Sequence, residues 1–212
     1  MTTRSRDERL DAAGFASLVP VSRETSAKLE AYLALLRQWQ KAINLVGRST
    51  LDDPWRRHLL DSAQLFRHLP PGPVRLADLG SGAGLPGLVL AIMGAAEVHL
   101  VEADRRKAQF LREAARRLEL GNVRVHATRI ETLDLKVDVV TARALAPLPE
   151  LLALAAPLLA PGGRLLLLKG RTADAELAAA AEKWTMRVAM LPSLADPDGR
   201  VLRLDEVRAR GR

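Results

Sequence analysis

Four glycines fall within the eight residues Gly80-Ser81-Gly82-Ala83-Gly84-Leu85-Pro86-Gly87, between an apolar run ending at Leu79 and another from Leu88 to Met93. Such a stretch reads as a strand, a tight turn and the opening of a helix. Glycine takes positive φ freely and lets a ligand approach where a Cβ would collide.

Two ligand classes fit the same letters. Gly82-x-Gly84-x-x-Gly87 satisfies the dinucleotide spacing, with Glu102 about 20 residues on as the ribose partner. Asp78-x-Gly80-x-Gly82-x-Gly84 is instead the pattern that receives S-adenosylmethionine. Asp78 separates them. A carboxylate at the carboxyl end of the first strand suits an ammonium and a sulfonium and repels a pyrophosphate. The plain alternative is a glycine-rich turn with no ligand.

Upstream, Met1 to Val19 reads as a loosely ordered arm with at most one short helix; Met1 to Asp11 is charged and lacks the apolar core of a secretory signal. Ser22 caps a helix from near Arg23, where Leu29, Leu33, Leu36, Ile43 and Val46 share a face and Gly47 ends it. Asp53-Pro54 opens a second helix carrying Trp55, Leu59, Ala63, Phe66 and Leu69, which stops at Pro70-Pro71-Gly72. Residues 1–72 are therefore expected as a helical cap within one compact unit, and 73–212 as the ligand-binding domain.

Downstream, the pattern predicts strands at Val74–Leu79, Glu97–Val101, Val123–His126, Val137–Thr141 and Arg164–Lys169. Helices are expected at Gly87–Met93, Ala103–Leu120, Pro149–Leu159 and Ala173–Lys183, with late strands at Arg187–Leu191 and Val201–Val207. This alternation means an α/β fold, a mostly parallel sheet covered on both faces and wound right-handedly. Ligands of such sheets bind beyond the carboxyl ends of the strands, where strand order reverses.

The strand ends carry the candidate chemistry. Glu102, with Ala103 and Asp104 behind it, offers a carboxylate to ribose hydroxyls. Ile130 can cover an adenine face while Glu131 or backbone groups read its edge. Arg143 suits a phosphate, a cofactor carboxylate or a guanine O6, or else pairs with Asp78 or Glu102 to neutralise a buried acid. The Asn/Asp-Pro-Pro-aromatic motif that holds an exocyclic amine is absent there.

Charge narrows the partners. The 212 residues carry a formal +7, from 32 Lys plus Arg against 25 Asp plus Glu, which favours polyanions. Aromatic residues make up only 3%, too few for a broad base-stacking platform. With no cysteine, disulfides and thiolate zinc sites are excluded, which fits a cytoplasmic chain. The four histidines lack ligand spacing, so no metal is expected, and the longest apolar runs are too short for a membrane span.

With these strand ends in place the chain resembles the bacterial glucose-inhibited division protein B family, the small-subunit rRNA guanine-N7 methyltransferases. The likeness runs from about Leu29 to Lys169. It rests on Trp39–Val46, Arg57-His58-Leu59-Leu60-Asp61-Ser62, the Asp78–Gly87 turn, Lys107–Leu111, Arg129-Ile130-Glu131, Ala142-Arg143-Ala144 and Leu168-Lys169-Gly170. Gln40 stands where that family often has Asn, and the tail around Gly199-Arg200 lacks a histidine often found there.

The resemblance implies a Rossmann-like class I S-adenosylmethionine-dependent methyltransferase fold, with a mostly parallel seven-stranded sheet and an N-terminal helical extension. It implies cofactor contacts at Gly80, Leu85, Glu102 to Asp104, Ile130-Glu131 and Arg143, to which the turn adds Asp78 and Gly82. It further implies a substrate in the decoding region of 16S rRNA, with S-adenosylhomocysteine as the other product. Guanine N7 carries a lone pair and no proton, so Arg143 is expected to orient and no general base is expected. Lys41, Arg48, Arg56, Arg57 and Lys169 are the candidates for RNA phosphates. The chain is expected to act as a monomer on 16S rRNA or the small subunit, away from membranes. A small-molecule methyltransferase and a non-catalytic RNA-binding assembly protein on this scaffold are the rival readings.

Overall fold

Side-chain acceptors start the first two helices. Asp11 accepts the Gly14 amide at 2.7 Å and opens α1 (Ala12–Leu18), and Ser22 accepts the Thr25 amide and opens α2 (Arg23–Gln40). The computed structural model describes residues 9–211, so the beginning of the arm, Met1–Glu8, lies outside the described residues. The remainder of the arm is fixed rather than loose. Phe15 is fully buried, its ring 5.4 Å from that of Trp55.

The helical extension departs from the pattern in two places, each with a local cause. α2 stops at Gln40, well before Gly47. The Gln40 side chain accepts the amides of Leu45 and Val46 at 2.9 and 3.0 Å and donates to the Val46 carbonyl at 2.8 Å, closing residues 41–46 into a loop. The continuous helix expected from Trp55 to Leu69 is broken. A 3-10 turn (Arg48–Asp52) leads to a π-helix (Trp55–Leu60), one α-helical turn α3 (Asp61–Ala63) and a second 3-10 turn (Phe66–His68). The Asp61 amide reaches back to the Arg56 carbonyl, the wide spacing that defines the π turn.

From there strands and helices alternate as β1 (Arg75–Leu79), α4 (Gly87–Ile92), β2 (Glu97–Val101), α5 (Arg105–Arg117), β3 (Val123–His126), β4 (Val137–Arg143), α6 (Leu148–Ala155), β5 (Leu159–Lys169), α7 (Ala173–Ala181), β6 (Trp184–Pro192) and β7 (Arg200–Ala209). They form one seven-stranded sheet of order β3-β2-β1-β4-β5-β7-β6. β1 to β5 run parallel and β7 antiparallel to both of its neighbours, β5 and β6. β5 begins earlier than expected. Leu159 pairs with Val137 and Arg164 with Val139, so Ala160–Gly163 bulges out of the ladder instead of turning ahead of it.

Side chains alternate across the sheet and both faces are buried. Leu76, Leu100, Val139 and Leu166 join a core with α2, α4 and α5, while Leu79, Val140, Ala142 and Leu165 join another with α6 and α7. Among the described residues, the extension shares its core with the sheet. Leu29 and Leu36 of α2 belong to the same cluster as Leu88 of α4 and Leu100 of β2.

Candidate functional site

The strand order reverses between β1 and β4, which opens a crevice beyond their carboxyl ends. The glycine loop fills one side of it. Gly80 sits at φ +64°, and a Cβ there would lie 2.6 Å from Leu145 Cδ1. Gly87 is required by close approach instead, since its Cβ would meet the Asp78 side chain at 2.8 Å and Leu100 at 2.4 Å. The loop is tied from three directions. Glu102 accepts the Gly82 amide at 2.8 Å, Asp78 accepts the Gly87 amide at 3.2 Å, and the hydroxyl of Tyr32, from α2, donates to the Ala83 carbonyl at 2.8 Å. Burial raises the Tyr32 phenol above its ordinary value, so it remains a donor.

Asp78 is therefore not at the lip. It is fully buried, bonded to the Gly87 amide and the Thr141 hydroxyl, and absent from the cavity lining. Burial pushes its carboxyl up to about 6, against the pull of those hydrogen bonds. The expectation that it meets a cationic ligand directly is corrected: it is a staple inside the wall. The short β1-to-helix turn needs an internal acceptor for the Gly87 amide, and Asp78 supplies it.

Beside the loop lies a cavity of about 630 Å³. Its walls include Gly80, Gly82, Leu85, the rim residues Leu45, Val46 and Gly47, and the loop between β6 and β7. Three acids face it and each has a cation. Asp61 lies 3.3 Å from Arg143, Glu176 2.7 Å from Lys169, and Asp196 3.1 Å from Arg57. Arg143 thus pairs with Asp61 of the extension, and neither with Asp78 nor with Glu102 as the sequence suggested. Its Nη1 also donates to the Arg57 carbonyl at 3.2 Å and to His58 Nδ1 at 3.4 Å. Burial, then the charges of Arg143 and Arg57, push the His58 imidazole down to about 3, so it is neutral. Burial raises Asp61 above the usual carboxylate range, with Arg143 opposing it.

The expected phosphate contacts divide. Lys41 and Arg48 are exposed on either side of the rim residues 45–47. Arg56 is half-buried against Asp53, and Arg57 is engaged by Asp196. Lys169 is corrected most. Its ammonium donates to Glu176 and to the Ala146 carbonyl and is nearly buried, so it belongs to the cavity wall with its charge already paired, and not to the exposed rim.

The adenosine candidates lie apart from this lining, at the ends of β2 and β3. Both oxygens of Glu102 accept amides, from Gly82 and Asp104, which orients the carboxylate. Asp104 caps α5 through the Arg106 and Lys107 amides, Ala103 is exposed, and Ile130 is half-buried. Glu131 is exposed and paired with Arg129 at 3.0 Å. Among the described residues no cluster could hold a metal ion.

Several residues of the site carry no chemical reading in the sequence. Tyr32, the chain's one tyrosine, sits on the apolar face of α2 and looks like core. Its place three residues after Leu29 was the available signal. His58 and Asp61 lie in a recognisable motif, but their partner Arg143 is far along the chain. Glu176 and Asp196 give no signal at all.

Residues 25–200 match the family model of rRNA small subunit methyltransferase G. The chain is 58% identical over 196 residues to the ribosomal RNA small subunit methyltransferase G of Rhodospirillum rubrum, covering 91% of this chain and 96% of that protein. It is 58% identical over 201 residues to the protein of the same name from Rhodospirillum centenum, covering 94% and 93%. Among solved structures it is similar to a SAM-dependent methyltransferase from Aquifex aeolicus, with a TM-score of 0.58 and 18% identity over 74% of this chain and 95% of that one. A likeness at that identity speaks to the fold alone.

Proposed function

The chain belongs to the rRNA small subunit methyltransferase G family, and we propose on that footing that it methylates N7 of a guanine in the decoding region of 16S rRNA. It is an S-adenosylmethionine-dependent methyltransferase with a Rossmann-like class I fold. The observation that carries the N7 reading is the commitment of every ionisable group around the cavity. Asp61, Glu176 and Asp196 are each ion-paired, and His58 is neutral and hydrogen-bonded on both ring nitrogens. Among the described residues, such a wall has no spare base. That suits a nucleophile with an in-plane lone pair and no proton to lose, and suits an exocyclic amine poorly.

The residues present fit the cofactor. A Cβ at Gly82 would meet nothing nearer than 3.8 Å, so space is open beside this glycine, and the adjacent cavity holds both cations and anions for a zwitterionic amino-acid moiety. Gly80, Gly82, Leu85 and Arg143 would hold the methionine part. Glu102, with Ala103 and Asp104, would hold the ribose, and Ile130 and Glu131 the adenine. When bound, S-adenosylmethionine supplies a methyl group activated by its sulfonium and leaves as S-adenosylhomocysteine.

The protein's own contribution is alignment and exclusion of water. Arg143 cannot fork onto guanine O6 and N7, the usual guanine-reading geometry, without covering the nucleophile. With Nη1 held by the extension, it is left to contact the cofactor or O6 and leaves N7 free. Lys41 and Arg48 contact RNA phosphates, with Arg56 and Arg57 behind them, and the enzyme works as a monomer in the cytoplasm.

The test is methyl transfer from labelled cofactor to small subunits lacking their methyl groups, followed by mapping of the modified nucleotide. Label on a guanine N7 in the decoding region is the expected result. Label on an exocyclic amine, or none, overturns the reading.

A further inference from the structure

We propose that His58 is a positioning residue, whose imidazole sets the guanidinium of Arg143 and links it through Thr50 to the cavity rim. The inference rests on the reading of Arg143 given above as a ligand-contacting group. It starts from the π turn. In an α-helix the Asp61 amide would bond the Arg57 carbonyl. Here that amide goes to the carbonyls of Arg56 and His58, and Arg143 Nη1 takes the Arg57 carbonyl instead. The same turn brings His58 Nδ1 and Asp61 Oδ2 within 3.4 and 3.3 Å of that one nitrogen. Three acceptors from five consecutive residues, Arg57 to Asp61, therefore share the two N–H groups of Nη1 and fix a side chain that belongs to β4.

The hydrogen-bond order selects the tautomer of His58. Thr50 Oγ1 lies 2.6 Å from the Gly47 carbonyl, which can only accept, so the hydroxyl proton points there. The Thr50 oxygen is then the acceptor for His58 Nε2–H at 2.9 Å. Nδ1 is left with its lone pair toward Arg143. A charged imidazole would lose that lone pair and face the guanidiniums of Arg143 and Arg57, with Asp61 the acid bonded to the same Arg143 nitrogen. Gly47 lines the cavity and its neighbour Val46 is clamped by Gln40, so the chain of bonds runs from the strand end to the rim.

Two substitutions separate positioning from mere filling. Asparagine places its amide oxygen near the Nδ1 position and keeps an acceptor for Arg143, whereas glutamine reaches the Nε2 position and keeps a donor for Thr50. S-adenosylmethionine affinity and single-turnover methyl transfer are to be measured for His58→Asn and His58→Gln, each in the wild-type and Arg143→Ala backgrounds, with melting temperatures alongside. His58→Asn should stay within about threefold of wild type, and His58→Gln should lose about tenfold or more in affinity or rate, the usual worth of a hydrogen bond to a charged group. The difference should vanish without Arg143. Equal losses, the reverse order, or a difference that survives in Arg143→Ala would overturn the proposal. Wild-type protein that transfers nothing to small-subunit RNA would overturn the functional reading instead, and the affinity ratio of the two variants would still judge His58.

Discussion

Arg143 and Asp78 show how far one side chain's role depends on what surrounds it. Arg143 is held by three acceptors and is only 21% exposed at its side chain, so removing it deletes an oriented cation and not a mobile one. Arg143→Ala should lower turnover by about 100-fold or more, the scale of a lost alignment, while unfolding stays cooperative at a melting temperature lowered by the acceptors left without their donor. Wild-type turnover in that variant would refute the assignment. Asp78 makes a prediction about pH. Its folded-state carboxyl at about 6 lies above the ordinary 3.8, so between those values the native state holds the proton more tightly than the unfolded chain. Its contribution to stability is complete below 3.8 and is lost as pH rises through 6, with a slope of at most about 1.4 kcal/mol per pH unit. Asp78→Asn should flatten the melting-temperature profile across that window; an unchanged profile would contradict the buried, protonatable carboxyl.

The loop of residues 41–46 and the broken helix after it form one functional element. The loop is shaped by a single amide side chain that makes bonds to Leu45 and Val46, both of them cavity-lining. Gln40→Ala should cost about 1–3 kcal/mol, because it leaves two half-buried amides and a carbonyl without their partner. Faster hydrogen exchange at the Leu45 and Val46 amides, with a raised KM for the cofactor, would report the loosened rim. Unaltered exchange would mean that the loop is fixed by packing alone. The π turn plays the corresponding part on the other side of Arg143, trading a regular ladder for a carbonyl aimed across the fold.

Taken together, the extension and the sheet share one continuous apolar cluster, and the hydroxyl of Tyr32 reaches the glycine loop across it. We propose that residues 1–72 and 73–212 fold as one unit. A fragment beginning at residue 73 would expose the faces of α4 and α5 that meet α2, and it should lack a cooperative thermal transition; a sharp one would refute this. The charge distribution makes a separate prediction. Of the basic residues near the rim, Lys41 and Arg48 are exposed, Arg57 is exposed but paired with Asp196, and Lys169 is nearly buried in an ion pair. Affinity for small-subunit RNA should fall linearly in log–log terms with salt, and Lys41→Glu with Arg48→Glu should reduce that slope by roughly 1–2. A slope unaffected by the pair would move the RNA surface elsewhere. No helix among the described residues is long and apolar enough to cross a membrane.

The chain's own letters were enough for the order of strands and helices, because period-two and helical apolar patterns, glycines and prolines are local signals. β2 and β3 match their expected ranges residue for residue. They were enough, too, for the place of the crevice, since alternating elements with a glycine turn after the first strand dictate it. What the letters left open were partners distant in sequence: Arg143 with Asp61, Lys169 with Glu176, Arg57 with Asp196, Tyr32 with Ala83. An acid or a base announces its charge locally, but whether it faces a ligand or a counter-ion depends on which segment folding brings opposite it. Asp78 looked like a ligand's partner and became a staple because its own helix start, packed against it, needed an acceptor more than the solvent-facing crevice did.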